Sequence, residues 1–127
     1  MYIIDTDIAI EYLKGNKEVV EKLNGLENCY LTLFNIAELF YGVFLLSNPE
    51  KHYGPVSNFI NRFDKLTLDI GSSKIFAKIK VQLRKEGKLI PDFDILIASI
   101  ALLYDFTVIT RNVKDFERIE GIKILKI

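Results

Sequence analysis

The chain has no tryptophan and only one cysteine, one histidine, one methionine and three prolines among 127 residues. Each scarcity excludes something. A single Cys29 cannot build an intramolecular disulfide framework and fits a reducing cytoplasm. With His52 as the only other soft or borderline ligand, a zinc or iron centre is disfavoured. There is no excess of charge, because 17 basic and 17 acidic residues cancel. A protein that binds nucleic acid by bulk charge is basic, so any such binding here needs a local patch and metal ions. No apolar run approaches the ~18–20 residues that span a bilayer. Residues 1–10 lack a basic start and contain two aspartates, so no signal peptide is expected. No membrane role follows, and the expected location is cytoplasmic. Internal repeats, low-complexity tracts and linkers rich in Pro, Gly or Ser are absent. So are a serine nucleophile elbow, a phosphate-cradling glycine loop and a dinucleotide fingerprint.

What is present is a half-hydrophobic chain, long enough for one domain over residues 1–127 with one core. Residues 2–5 read as a buried strand. Short helices follow over 7–14 and 17–24, stopped at Gly15-Asn16 and Gly25. Cys29-Tyr30-Leu31 is a strand, and Thr32 caps a helix over 33–46. Pro49–Pro55 reads as loop and 55–64 as helix. Leu66-Thr67-Leu68 is a strand closed by Asp69, a helix cap. Residues 71–86 carry Ile75, Phe76, Ile79 and Leu83 on one helical face, with Gly87 at the end. A helix from Asp92 to Tyr104, a strand over Thr107–Thr110, one turn at Lys114–Glu117 and a strand at Lys123–Leu125 complete the chain. Short apolar strands alternating with helices predict a parallel sheet covered on both faces.

Carboxylates recur in this apolar setting. Asp5 ends the first strand, at the sheet edge where open α/β folds bind ligands. Glu38 lies in a helix apolar almost all round, so it points inward. Gly42, one turn on, costs roughly 1 kcal/mol against alanine, which a close approach by another chain or a ligand would explain. Asp94 lies against the apolar body of its helix, whereas Asp92 and Asp7 also suit the first turn of a helix. Asn112 and Asp115 have capping-box spacing, yet Thr110 and Asn112 emerge beside Asp5 if their strand is parallel to the first. Carboxylates in greasy sequence are costly unless a cation satisfies them. An all-oxygen set selects Mg²⁺ or Mn²⁺, and such ions serve phosphoryl chemistry.

These residues resemble those of PIN-domain ribonucleases, in particular the toxin subunits of VapBC-type toxin–antitoxin pairs. The resemblance rests on Ile4-Asp5-Thr6-Asp7, on Asn35-Ile36-Ala37-Glu38-Leu39-Phe40-Tyr41-Gly42, on Asp94-Ile95-Leu96-Ile97-Ala98-Ser99 and on Val108-Ile109-Thr110-Arg111-Asn112-Val113-Lys114-Asp115-Phe116. It covers nearly the whole chain. It implies a three-layer α/β/α sandwich on a short-stranded parallel sheet and Mg²⁺- or Mn²⁺-dependent hydrolysis of single-stranded or structured RNA, such as tRNA or mRNA. It also implies a VapB-type antitoxin and a homodimer. The acidic site carries over to Asp5, Glu38 and Asp94, with Asn112 at a fourth position that elsewhere can carry an aspartate. Asp115 or Asp92 would supply the missing charge. Thr6 and Thr110 would position water or phosphate, and Arg111 and Lys114 would reach the RNA backbone. Arg84, Lys85 and Lys88 form a second basic cluster.

Two other readings stand beside this one. An inactive PIN fold would bind RNA or protein without cutting. Asp5-Thr6-Asp7 after a strand, with a later Thr110, is also similar to haloacid-dehalogenase-type phosphatases. Those want a threonine or valine where Ala9 stands, and their acidic pair after the threonine strand. The aromatic helix 33–46, together with Tyr53 and Phe59, has more apolar surface than one sheet can cover, which favours a dimer or a bound partner.

Overall fold

The computed structural model describes all 127 residues. Five strands, β1 (Tyr2–Ile4), β2 (Cys29–Thr32), β3 (Asp64–Leu66), β4 (Thr107–Ile109) and β5 (Lys123–Leu125), lie in the order β3-β2-β1-β4-β5. Every neighbouring pair is parallel. Seven helices connect them: α1 (Thr6–Leu13), α2 (Lys17–Asn24), α3 (Leu33–Leu45), α4 (Pro49–Asn61), α5 (Ile70–Lys85), α6 (Asp92–Tyr104) and α7 (Val113–Phe116). No helix is long and apolar enough to cross a membrane.

Successive strand residues point to opposite faces, and the two cores follow from that alternation. Ile3 and Val108 pack with Leu83, Ile97 and Ile100 under α5 and α6. Ile4, Leu31 and Ile109 pack with Ile8, Val19, Leu39, Val43 and Phe59 under α1–α4. The result is the three-layer α/β/α sandwich anticipated above. Helix α6 runs beside the sheet with six of its residues buried. Its Ser99 hydroxyl donates to the Ile95 carbonyl at 2.6 Å, which satisfies the one interior polar side chain.

The order of the strands decides where a site can form. From β1 the chain moves outward through β2 to β3, then crosses back to place β4 on the other side of β1. Strand order therefore reverses between β1 and β4. At such a switch point the connections leave in opposite directions and open a crevice beyond the strands' C-terminal ends. Asp5 follows β1 there, and Thr110 follows β4.

Two boundaries differ from the sequence reading. The third strand is Asp64–Leu66, pairing Tyr30 with Asp64 and Thr32 with Leu66, rather than Leu66–Leu68. It is an edge strand whose first two residues are exposed, so it needs no apolar run. Helix α4 begins at Pro49 and takes Pro55 inside it, where a loop was expected. Pro49 is tolerated in the first turn, and Tyr53 is held against α3 by stacking on Phe40 with centroids 5.5 Å apart. Packing of an aromatic face overrides the local breakers here.

Candidate active site

The segment after β1 is built to hold its own carboxylates. Asp5 is the N-cap of α1, and its Oδ1 accepts the Thr6 backbone N–H at 2.9 Å. Its Oδ2 accepts the Thr110 hydroxyl at 2.7 Å, which ties the end of β1 to the end of β4. Asp7, in the first turn of α1, reaches the same place. Its Oδ2 accepts the Arg111 backbone N–H at 3.0 Å and lies 3.4 Å from the Thr110 hydroxyl. Its Oδ1 is buried without any partner.

Helix α3 supplies the next acid. Thr32 and Asn35 form a reciprocal capping box that starts the helix. The Asn35 amide also donates to Thr6 Oγ1 at 3.1 Å, and Thr6 Oγ1 donates to Glu38 Oε1 at 2.8 Å. A cap, a threonine and Glu38 thus form one chain. Phe34 and Phe93, with ring centroids 5.7 Å apart, hold the starts of α3 and α6 together. From α6 comes Asp94, whose Oδ2 accepts the Asn112 amide at 3.4 Å. The same amide donates to Asp115 Oδ2 at 3.1 Å.

Asp5, Asp7, Glu38, Asp94 and Asp115 therefore gather round the switch point. Their electrostatics record the crowding. Burial pushes the Asp5 carboxyl up to about 7, aided by the charges of Asp7 and Asp94 and opposed by the bonds from Thr110 and Thr6. Burial also pushes Asp94 up to about 6, with Glu38, Asp115 and Asp7 adding to it. No basic side chain forms an ion pair with any of the five.

Several sequence expectations need correction. Asp92 is not part of the cluster. Its carboxylate pairs with Lys80 at 2.9 Å, on the α5 side. Thr6 and Thr110 donate their hydroxyl protons to Glu38 and Asp5, so here they orient carboxylates. Arg111 turns its guanidinium away, donating from Nε to the Ile127 carbonyl at 2.9 Å and lying 3.8 Å from Glu11. Asn112 precedes α7, but its side chain makes no capping bond. The capping-box geometry expected for Asn112 and Asp115 is absent, and the amide instead bridges two carboxylates. Gly42 is exposed, and a Cβ there would meet nothing within 4 Å; this chain itself makes no close approach. Two residues of the arrangement are not conspicuous in sequence: Asp7, whose type and position suit any helical first turn, and Asn35. Spacing was the available signal for Asp7: two residues after a strand-end aspartate, it faces the same crevice from the first turn.

The donor set is all oxygen, carries an orphaned buried carboxylate oxygen, and has two carboxyls that hold protons unusually tightly. A hard dication relieves all three conditions, so the residues fit Mg²⁺ or Mn²⁺ in chemistry. As placed, no three His, Cys, Asp or Glu side chains form a group that could hold a metal ion. The bonds to Thr6, Thr110 and Asn112 fix the carboxylates individually, and ligation requires some of them to turn.

Beside Glu38 lies an apolar cavity of about 490 Å³ between α1, α3 and α4, lined by Ile10, Leu13, Leu39, Val43, Leu46 and Val56. Lys14 and His52 stand at its rim. His52 is exposed, as expected, but on helix α4 instead of a loop.

Comparison with known proteins bears on this arrangement. A family model described as PIN domain matches residues 2–122. The chain is 29% identical over 124 residues to ribonuclease VapC2 of Haemophilus influenzae, covering 96% of this chain and 94% of that protein. It is 27% identical over 125 residues to the tRNA(fMet)-specific endonuclease VapC of Shigella flexneri, with 96% and 94% covered. The crystal structure of DNA-bound VapBC from Salmonella typhimurium superposes with a TM-score of 0.91 at 28% identity, over 98% of this chain and 96% of that one.

Proposed function

The chain belongs to the PIN-domain family, and from that premise we propose that it is a Mg²⁺- or Mn²⁺-dependent endoribonuclease, the toxin of a toxin–antitoxin pair. The observation that carries the reading is the convergence of Asp5, Asp7, Glu38, Asp94 and Asp115 at the switch point with no cation paired to them. Relatives named as VapC ribonucleases, and a VapBC complex among the structural neighbours, support it.

Asp5, Glu38 and Asp94 would hold the ion, with Asp7 and Asp115 beside them. A bound ion would neutralise the scissile phosphate, activate a water and stabilise the leaving oxygen. The chain's own residues set the stage for that. Thr110 fixes Asp5 and Asp7 across the β1–β4 junction. Thr6, anchored by Asn35, fixes Glu38. The Asn112 amide, donating to both, ties Asp94 to Asp115. No side chain serves as a nucleophile. Asp5 would have that role in the phosphatase reading, but that reading wants a threonine or valine where Ala9 stands and its acidic pair after the threonine strand, whereas Asp92 and Asp94 precede β4.

The partner reading draws on the apolar cavity beside Glu38. An amphipathic antitoxin segment would seat its apolar face there and reach the acidic cluster with a basic side chain. Metal-dependent cleavage of single-stranded RNA and tRNA by the purified chain tests the enzyme reading. Cleavage should appear with Mg²⁺ or Mn²⁺, stop in EDTA, leave 5′-phosphate ends and fall by several orders of magnitude in Asp5→Asn. Undiminished cleavage in EDTA would refute the metal. Binding of RNA with no cleavage under any metal would support the inactive module instead.

A further inference from the structure

We propose that the substrate strand passes from the acidic cluster along a basic track formed by Lys114, Arg118 and Lys88, and not past Arg111. The inference rests on the ribonuclease reading and adds to it the direction of the strand and the residues that hold it.

Lys88, Lys114, Glu117 and Arg118 line a concavity of about 470 Å³ that has no apolar residue in its wall. Three cations face one acid there. None of the three pairs with a carboxylate anywhere in the chain, so their charge is free for a ligand. Arg118 is half-buried and its Nη1 donates to the carbonyls of Lys88 and Leu89, at 3.3 Å each. That bridge fixes the end of α7 to the segment leading into α6. The track therefore has a rigid floor with two exposed lysines above it.

Its position connects it to the site. Lys114 is the neighbour of Asp115, and the Arg118 backbone N–H donates to the Asp115 carbonyl at 3.2 Å. The track thus begins on the same short helix that carries Asp115 into the acidic cluster. On the other side, Arg111 is committed to Ile127 and Glu11. Of the second basic cluster expected from sequence, only Lys88 joins the track.

The chemistry of the wall selects the ligand. Protein-binding surfaces bury an apolar centre, and this concavity has none. Nucleic-acid interfaces are polar and strongly positive. A phosphodiester backbone suits it better than an acidic peptide.

Binding of a fluorescent single-stranded RNA to the full chain in EDTA tests the track apart from cutting. Lys88→Gln combined with Lys114→Gln removes two exposed charges and should leave the fold intact. Each phosphate contact contributes about 0.7 to the slope of log K against log salt for a single strand, so each lost contact costs roughly five-fold at 0.1 M salt relative to 1 M. The double variant should lose both contributions, and Lys51→Gln, on exposed α4, neither. An unchanged slope in the double variant would overturn the track, as would failure of the wild type to bind at low salt. Loss of slope in Arg111→Gln instead would move the strand to the other side. Tighter binding of polyglutamate than of RNA, weakened by the same variant, would give the track to an acidic protein. Cleavage with Mg²⁺ is scored separately. A wild type that cuts while the double variant keeps its slope overturns the track alone; one that binds along the track without cutting overturns the ribonuclease reading alone.

Discussion

A buried aspartate that keeps its proton near neutrality weakens the protein on its own and serves it once a cation arrives. Asp5 is 5% exposed, and its carboxyl is raised from 3.8 to about 7. The sign follows from linkage. Between these values the native state holds a proton that the unfolded chain has lost, so stability falls as pH rises from about 4 to about 7 and is flat above. The full difference corresponds to on the order of 4 kcal/mol. Urea denaturation in EDTA should therefore show a lower midpoint at pH 8 than at pH 5, and Asp5→Asn should remove most of the difference. Mg²⁺ should restore the midpoint at pH 8 and do little at pH 5, where protons compete for the same oxygens. Thr110→Val tests the residue that opposes the shift. Its hydroxyl lowers the Asp5 value, so its loss should move the fall of the urea midpoint in EDTA to higher pH. A midpoint lowered equally at every pH would make Thr110 merely structural. The sequence exposed Asp5, Glu38 and Asp94 because an acid amid apolar neighbours is conspicuous. It did not expose Asp7 or Asn35, whose types are common in first turns and caps. Nor could it tell that Arg111 points outward, since that depends on where Ile127 and Glu11 lie.

At the scale of elements, the readable ones are those whose own residues carry both the start and the periodicity. Helix α5 is the clearest. Asp69 caps it, with Ser72 returning the bond to the Asp69 backbone N–H at 2.9 Å. Gly87, at φ +67°, follows its end and adopts the left-handed conformation that lets the chain leave. Asp69→Ala should cost about 1 kcal/mol, read as a lower urea midpoint with cleavage per folded molecule unchanged. Strand β3 and the first half of α4 were not readable from local sequence. An edge strand of three residues, two of them exposed, carries almost no pattern. A helix containing Pro-Gly-Pro spacing near its start reads as loop until the partner aromatic rings of α3 are known. In both cases a neighbour in space, not in sequence, decides the conformation.

For the whole molecule, the open question in physical terms is what covers the aromatic side of α3 and α4. Tyr41, Phe44 and Leu45 are 68%, 63% and 66% exposed, and Phe44 and Tyr53 lie within stacking range of each other and of Phe40. Contiguous apolar surface of this kind marks protein contacts, and a two-fold pair of identical chains is the commonest arrangement. Light scattering at micromolar concentration should give twice the 14.6 kDa of one chain. Phe44→Ser, which removes the centre of the patch, should shift the mass toward a single chain. A single-chain mass for the wild type would leave the patch to the antitoxin.

The β1–β4 junction has one more consequence, for the cell that makes this protein. Asp5 is synthesised almost first, and Thr110, Asn112 and Asp115 more than a hundred residues later. Until β4 docks beside β1 there is no crevice, and Asp5 and Asp7 lack the bonds from Thr110 and the Arg111 backbone. A chain cut short anywhere before Thr110 lacks one side of the crevice. On the proposed reading, the topology delays the completed site until translation has passed β4, which lengthens the interval before a partner must cover it.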